Sequence, residues 1–133
     1  GGGSDLESVQ AQIKSRSLGA VVTTTGPLEF DALIEAYGRC HVVVVPTTSQ
    51  FAEGLNKVAV EGALARRPVI TSVLSNALDV LHDAIVEVPP DDINAYVDVL
   101  VQLASDRVFY ERKCRACEAV QKPFYDRISC NYN

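Results

Sequence analysis

The chain has 133 residues, of which 47% are hydrophobic, and this is enough for one domain with a sizeable core but too little for two. Its formal net charge is -5, and the acidic and basic residues are interspersed, so it has no cationic stripe for a nucleic acid or an anionic membrane surface. The longest purely apolar run, Val42 to Val45, is far below the roughly 20 residues of a membrane-spanning helix.

The first residues, 1–5, have the composition of a flexible linker or cloning scar. The chain contains no methionine, so we interpret residues 6–133 as a partial domain of a longer protein. Its four cysteines lack the spacing of a zinc site or a disulfide scaffold, which favours reduced thiols in a cytoplasmic protein. Cys114 and Cys117 have redox-pair spacing, but they fall in a charged helical segment, and a structural role is favoured.

The first part of the chain predicts a helix, a strand and a second helix. Weak helical periodicity predicts the first helix from Leu6 to Arg16. A β-branched run from Ala20 to Thr25 predicts a short strand, which Gly26-Pro27 breaks. Apolar residues three and four positions apart then predict a helix from Leu28 to Tyr37, which Gly38 closes.

The rest of the chain continues the alternation. His41 to Val45, stopped by Pro46, has the pattern of a strand buried on both faces of a parallel sheet. The further predicted elements are a helix from about Gly54 to Arg66, a strand from Pro68 to Ser72, a short helix near Ala77 to Leu81, a strand from Ile85 to Val88, an amphipathic helix from Ile93 after a Pro-Pro-Asp-Asp capping turn, and a charged helix from Arg107 to Gln121 that ends at Pro123.

This order predicts an α/β fold with a Rossmann-like parallel sheet that is flanked by helices and built from right-handed βαβ units. About four strands is a small number for an open doubly wound sheet. Strands at the front are therefore interpreted as removed or supplied by another chain, and an exposed sheet edge is expected.

The candidate site follows the strand from His41 to Val45, because open parallel sheets bind ligands outside the carboxyl ends of their strands. Glu53 and Glu61 are eight positions apart, which is about 12 Å along a helix and about the length of a nucleoside diphosphate. A carboxylate can accept two hydrogen bonds at once, as vicinal sugar hydroxyls require.

Between the two glutamates, Gly54, Leu55 and Asn56 are predicted to present the first free amides of the helix. With the helix dipole, such amides bind phosphate without a metal. Lys57 would add positive charge near the phosphates.

Each of these residues also has a plainer interpretation. The helix dipole alone favours Glu53, Glu61 fits a solvated helix face, and Lys57 is spaced to pair with Glu61. Gly62 argues against the plainer interpretation, because a glycine in mid-helix costs roughly 1 kcal/mol relative to alanine and usually marks a close approach. From the residues alone, the prediction is an anion or nucleotide site.

The segment from Phe51 to Ser72 resembles the two-glutamate signature of retaining GT-B glycosyltransferases, the group 1 or family 4 type that includes glycogen synthase and sucrose synthase. Seven residues separate Glu53 from Glu61, as in that family. Val42 to Thr47 resembles the family's buried strand and Pro-Thr loop, and Val86 to Asp92 resembles its later strand and turn. The resemblance implies the incomplete C-terminal half of a GT-B fold.

The resemblance also implies a role for each site residue. Glu53 would position the transferred sugar, which makes it the candidate catalytic residue, and Glu61 would hold the ribose. The donor-binding set comprises Gly26 and Pro27 near the base, the amides of Gly54, Leu55 and Asn56 at the sugar and diphosphate, Lys57 and Glu61.

The activity implied is transfer of a glycosyl group from a nucleotide diphosphate sugar to an acceptor with retention of configuration, without a metal or cofactor. The family's upstream Arg/Lys pair and acceptor domain have no counterpart in the chain, so we expect the fragment alone to be inactive and to need an N-terminal acceptor domain or another chain. The alternative is a non-catalytic Rossmann-like interaction domain that pairs, or self-associates, through an exposed sheet edge.

Overall fold

The computed structural model describes residues 3–50 and 54–125. The chain divides into two compact units, Gly1–Ala36 and Tyr37–Asn133, which we call the N-terminal unit and the sheet unit. No described residue of the N-terminal unit is buried, whereas the sheet unit contains the core.

The N-terminal unit contains helix α1 (Leu6–Ser15) and the larger part of helix α2 (Phe30–Arg39). The position of α1 agrees with the prediction. Helix α2 begins two residues later than predicted and continues through Gly38, which was wrongly expected to close it. The helix continues because Gly38 adopts no left-handed backbone conformation there.

The predicted strand from Ala20 to Thr25 is wrong. The amides of Val21 and Val22 both donate to the carbonyl of Leu18 at 2.9 Å, which makes a turn, and the segment joins no described strand. A β-branched sequence favours a strand where it can pack on a pleated, half-buried surface. Val21 is 78% exposed, so it lacks that surface.

The sheet unit is built on three parallel strands in the order β1-β2-β3, with β1 at Val43–Val44, β2 at Val69–Thr71 and β3 at Ile85–Glu87. Val43, Val69 and Ile85 lie side by side on one face. The neighbouring residues Val44, Ile70 and Val86 lie side by side on the other face. All three strands were predicted, and the parallel arrangement is confirmed.

Burial differs among the strands in a way that the valine run did not predict. Every residue of β2 is fully buried, because β2 has a strand on each side. In β1, Val43 is buried but Val44 is 38% exposed, so the prediction of a strand buried on both faces is wrong for β1. The reason is that β1 is an edge strand among the described strands and that the buried cluster on this face contains Ile70 and Val86 but not Val44.

Helices lie on both faces of the sheet. Helix α3 (Lys57–Leu64) packs on Val43 and Val69 through Gly62, where an added Cβ would lie 2.9 Å from Cγ2 of Val43 and 3.1 Å from Cγ2 of Val69. The predicted close approach at Gly62 is thus confirmed. On the opposite face, helix α5 (Ile93–Ser105) contributes to a buried cluster of Ile70, Val86, Val88, Tyr96 and Leu103.

The remaining helices are α4 (Leu78–Leu81), between two short 3-10 turns, and α6 (Arg107–Tyr125). The side-chain amide of Gln121 donates to the carbonyls of Ala63 and Leu64, so α6 caps the carboxyl end of α3. Pro123 was predicted to end α6 but lies inside it, since a proline near a helix end removes only one amide donor. No helix in the described part of the chain is both long and apolar enough to cross a membrane.

The cysteine pair of α6 has the environment of a packing element. Cys117 is fully buried, and burial raises the pKa of its thiol to about 11. A reactive cysteine needs a lowered pKa and access to solvent. The structural role that the sequence favoured for Cys114 and Cys117 therefore agrees with the position of Cys117.

Candidate functional site

The carboxyl ends of β1 and β2 are joined by buried polar side chains. The hydroxyl oxygens of Thr47 and Ser72 are 2.5 Å apart, and both residues are buried. The hydroxyl of Tyr96 donates to the carbonyl of Val45 at 3.3 Å and accepts from the amide of Thr47 at 3.4 Å. These bonds fix the first residues of the loop that follows β1.

A second contact ties this loop to the loop after β3. The carboxylate of Asp91 accepts from the amide of Ser49, with its two oxygens at 3.1 and 3.3 Å. Asp91 has a φ of 61°, a left-handed conformation that aspartate tolerates better than most residues. Its neighbour Asp92 caps α5 by accepting from the amide of Ala95 at 3.0 Å, which confirms the predicted capping turn.

The amino end of α3 lies at the same edge of the sheet, but the helix begins later than predicted. Asn56 is its capping residue, and its side-chain oxygen accepts from the amide of Ala59 at 3.1 Å. The amide of Asn56 donates to the carbonyl of Ser75 at 3.3 Å. The prediction that Gly54, Leu55 and Asn56 supply the first helical amides is therefore wrong, because the strong capping residue starts the helix at Lys57.

The helix N-terminus nevertheless remains a source of donors. Lys57 and Val58 are the first two helical residues, and their amides donate to no described residue. Both side chains are exposed. Unpaired first-turn amides and the positive end of the helix dipole attract anions, and the Lys57 ammonium adds to that attraction.

Glu53, the predicted sugar-positioning residue, lies outside the described residues, as do Phe51 and Ala52. Gly54 and Leu55 are exposed, and they lead from that segment into the cap of α3. Their contacts with a sugar or diphosphate remain predictions.

Glu61 lies one turn into α3 and is exposed. Its Oε2 accepts from the hydroxyl of Tyr37 at 2.9 Å. It forms no ion pair with Lys57, so the plainer interpretation of an intrahelical pair does not describe this structure. Burial, with the adjacent Glu61 carboxylate, holds the pKa of Tyr37 well above its usual range.

Gly26 and Pro27 belong to the N-terminal unit. Gly26 has a φ of 66°, a left-handed conformation that glycine adopts without strain, and Pro27 is exposed. Their predicted place near the base stays a prediction.

Sequence reasoning missed two polar residues of this region. Tyr37 was counted only as part of an apolar stripe, and Asp91 only as part of a turn. For Asp91 the sequence signalled only a turn, because its bond to the amide of Ser49 joins residues 42 positions apart. Nothing in the sequence pairs Tyr37 with Glu61, because the two residues are 24 positions apart and lie on different helices.

A cavity of about 820 Å³ lies at the opposite, amino end of the sheet. It is lined by His41, Val42, Leu100, Leu103, Ala104, Arg107, Tyr110 and Glu111. The lining is mainly apolar, and its two charged side chains are paired with each other, Arg107 Nε to Glu111 Oε1 at 2.8 Å. The hydroxyl of Tyr110 is committed to the carbonyl of His41 at 3.0 Å. Two of the polar side chains in this lining are thus engaged with each other, and a third is bonded to the backbone.

Comparison with known proteins gives one family and one fold. Residues 1–106 match the profile of the family described as glycosyl transferases group 1. No curated protein sequence matches the chain. The structure is similar to sucrose-phosphate synthase from Thermosynechococcus elongatus, with a TM-score of 0.71 and 23% sequence identity over 89% of this chain. The match covers 30% of that enzyme, so the chain spans less than a third of its length. This similarity confirms the predicted fold, an α/β part of a GT-B structure.

Proposed function

This chain belongs to the group 1 glycosyl transferases, and we propose that it binds the nucleotide diphosphate sugar from which a glycosyl group is transferred to an acceptor. The observation that carries the proposal is the group of polar features at the carboxyl end of the sheet: the amino end of α3, the exposed Lys57 and the carboxylate of Glu61 one turn further on. In open parallel sheets this end is where ligands bind.

The diphosphate is bound at the amino end of α3. The amides of Lys57 and Val58 donate to its oxygens, the helix dipole is favourable for its negative charge, and the Lys57 ammonium neutralises part of that charge. Gly54 and Leu55 precede the cap and leave their exposed backbone close to the same place. When the glycosyl bond breaks, the same groups stabilise the charge that develops on the departing diphosphate.

The two ends of the donor are held by carboxylates. Glu61 accepts hydrogen bonds from the ribose hydroxyls, and Glu53 accepts them from the transferred sugar. The transfer retains the configuration of the sugar and uses no metal or cofactor, as the resemblance to retaining enzymes implies.

Calorimetric titration of the chain with UDP-, GDP- and ADP-glucose tests donor binding. We expect saturable binding of at least one of them, and a weaker affinity for the variant Lys57→Ala. The matched control is Lys122→Ala, which removes an exposed lysine from α6. Binding of none of the three nucleotide sugars would defeat the proposal.

Glycosyl transfer also requires a part that binds the acceptor, and the match covers only 30% of the similar enzyme, so we propose that the isolated chain binds the donor without transferring the sugar. A radiolabelled nucleotide sugar, incubated with the chain and with candidate acceptor sugars, measures this. Transfer that retains configuration would contradict the expectation of inactivity and would support the assigned chemistry.

One observation favours a second function, that of an interaction domain. β1 pairs with β2 on one side and with no described strand on the other, and Val44 is 38% exposed. An open edge of this kind can pair with another chain. Sedimentation velocity over a range of concentrations tests it: concentration-dependent association supports edge pairing, and a strictly monomeric chain that binds a nucleotide sugar excludes it.

A further inference from the structure

The contact between Tyr37 and Glu61 joins the end of α2 to the exposed face of α3. The Tyr37 hydroxyl lies 2.9 Å from Oε2 of Glu61. Tyr37 is only 8% exposed, whereas Glu61 faces solvent. Tyr37 is therefore fixed by packing, whereas Glu61 is accessible to a ligand. The hydrogen bond from the buried ring restricts where the exposed carboxylate can lie.

Tyr37 is itself fixed from the other side. The guanidinium of Arg67 donates to the carbonyl of Tyr37 at 3.1 Å and to the carbonyl of Gly38 at 2.6 Å. The thiol of Cys40 also donates to the Tyr37 carbonyl, at 3.4 Å. The last carbonyls of a helix lack intrahelical partners, so these donors cap α2 and hold its final turn in place.

Arg67 lies just after α3, in the connection to β2. The cap of α2 and the carboxylate that Tyr37 holds thus belong to one continuous stretch of chain, α3 and the residues behind it. A shift of Tyr37 would therefore disturb one contact within α3, at Glu61, and one just behind its carboxyl end, at Arg67.

We propose that Tyr37 is a positioning residue for the ribose of the donor nucleotide: its hydroxyl holds Glu61 through Oε2 and leaves Oε1 to accept hydrogen bonds from the ribose. This inference rests on the proposed function of Glu61. A carboxylate has about four lone-pair positions, so one bond from Tyr37 leaves enough for a vicinal diol.

The advantage of such an arrangement is preorganisation. An exposed glutamate samples several rotamers and loses that freedom when a ligand binds. Because Tyr37 already restricts Glu61, less freedom remains to be lost. A tyrosine hydroxyl is already protonated at neutral pH, and burial with the adjacent carboxylate raises the pKa of Tyr37 further, so the hydroxyl is the donor in this bond.

The competing explanation is that Glu61 serves only as a structural partner of Tyr37. The two explanations differ in what happens to ribose recognition. A structural partner affects the stability of the chain but does not distinguish a ribose from a ribose without hydroxyls. Removal of a positioning residue lowers the affinity for the nucleotide that carries ribose hydroxyls and leaves the affinity for the dideoxy nucleotide unchanged.

The experiment compares UDP, GDP and ADP with their 2′,3′-dideoxy forms by calorimetric titration of the whole chain. For the wild-type chain we expect the ribose form of the preferred nucleotide to bind about tenfold more tightly than the dideoxy form, as loss of hydrogen bonds to a charged group implies. For Tyr37→Phe we expect that ratio to fall to about threefold or less, with the affinity for the dideoxy form unchanged. Glu61→Gln should lower the ratio in the same way, and the double variant should lower it no further than Glu61→Gln alone.

The matched control is Tyr125→Phe, which removes the same hydroxyl from an exposed tyrosine at the end of α6 and should leave the ratio unchanged. If Tyr37→Phe does not fold, as judged by circular dichroism, Arg67→Gln replaces it, because this change leaves the hydroxyl in place and removes the guanidinium that fixes it. We then expect an intermediate ratio.

The outcomes separate the two proposals. A wild-type chain that binds the ribose form more tightly, together with a Tyr37→Phe chain that keeps the full ratio, overturns the role of Tyr37 and leaves the donor site intact. A wild-type chain that binds both forms equally overturns the role of Glu61 and, with it, that of Tyr37. A wild-type chain that binds no nucleotide overturns the proposed function and this inference together.

Discussion

The two ends of the sheet differ in a way that bears on function. At the carboxyl end, polar groups from several elements meet: Thr47 bonds to Ser72, and Asp91 to the Ser49 amide. At the amino end lies a cavity of about 820 Å³ with a mainly apolar lining, whose charged residues Arg107 and Glu111 are paired with each other. The cavity and the proposed anion site thus lie at opposite ends of the sheet, which teaches that a cavity by itself does not locate an anion site.

The difference follows from the βαβ connections. Each helix that follows a strand begins at the carboxyl end of the sheet, so the amino ends of α3 and α5 both lie there. Their first-turn amides and positive dipole ends are consequently found at that edge. The amino edge receives the carboxyl ends of α3 and α5 and also the amino end of α6, where the amide of Phe109 already donates to the carboxylate of Asp106.

The largest expected effect on stability comes from a substitution that displaces α3, the helix whose first amides form the proposed anion site. In Gly62→Ala the new Cβ would lie 2.9 Å from Cγ2 of Val43, closer than unstrained packing allows. Overpacking costs about 1–3 kcal/mol and alanine returns up to about 1 kcal/mol of helix propensity, so we expect a net loss of about 1–2 kcal/mol in the free energy of unfolding. Urea denaturation measures it, and nucleotide affinity should fall as well.

The control for this change is Gly38→Ala in α2, where an added Cβ meets nothing within 4 Å. There only the helix propensity changes, so we expect a gain of about 0.5–1 kcal/mol. If Gly62→Ala lowers the free energy of unfolding and Gly38→Ala raises it, the close approach at Gly62 is confirmed. Stabilisation by both would contradict the packing of α3 on the sheet.

The next effect compares one tyrosine at each end of the sheet. Tyr96→Phe removes a buried hydroxyl that joins Val45 and Thr47, and we expect it to destabilise the chain by about 1 kcal/mol. Tyr110→Phe removes the hydroxyl that bonds to the carbonyl of His41 at the amino end, in an exposed contact, and should cost about 0.5 kcal/mol. Thermal unfolding of both variants makes the comparison, and an equal or reversed order would contradict the buried, doubly bonded position of the Tyr96 hydroxyl.

A smaller effect is expected for charge at the carboxyl end. Lys57→Ala should weaken nucleotide diphosphate binding about threefold to tenfold at low salt, and the difference from wild type should shrink as salt is added, because screening reduces the contribution of an exposed charge. Isothermal titration at two salt concentrations measures it. An effect independent of salt would assign Lys57 a role other than electrostatic attraction.

The smallest effect is expected at the amino-end cavity. Ala104→Leu adds apolar volume to its wall, and we expect nucleotide affinity to stay within about twofold of wild type, since the proposed diphosphate site lies at the opposite end of the sheet. A larger loss, with unchanged stability in urea, would place the ligand in the cavity and reverse the comparison of the two ends.

Sequence patterns predicted the elements that form the sheet unit. The strands β1, β2 and β3 have apolar, β-branched sequences bounded by turn residues, and the close approach of α3 was predicted from Gly62 alone. The strand at Ala20 to Thr25 failed for a physical reason: its composition suits a sheet, but the amides of Val21 and Val22 find an acceptor in a local turn. A pattern of residues does not reveal whether a partner strand is present.

The candidate site was predicted in outline and not in detail. The position of Glu61 on a helix behind the first strand could be derived from spacing, since helical periodicity is local. The start of α3 was placed too early, because several neighbouring polar residues could each serve as its capping residue and the sequence does not show that Asn56 does so. The bond from Tyr37 to Glu61 could not be predicted, because it depends on how two separate helices pack.

The most direct test of the central claim is an NMR titration of the isotopically labelled chain with UDP-, GDP- and ADP-glucose. We predict that the backbone amide signals of the carboxyl end shift on binding, foremost those of Lys57, Val58 and Glu61, while those of Val42 and Leu103 at the amino-end cavity stay unchanged. Shifts confined to the amino end, or no shifts with any of the three nucleotide sugars, would contradict a donor site at the amino end of α3.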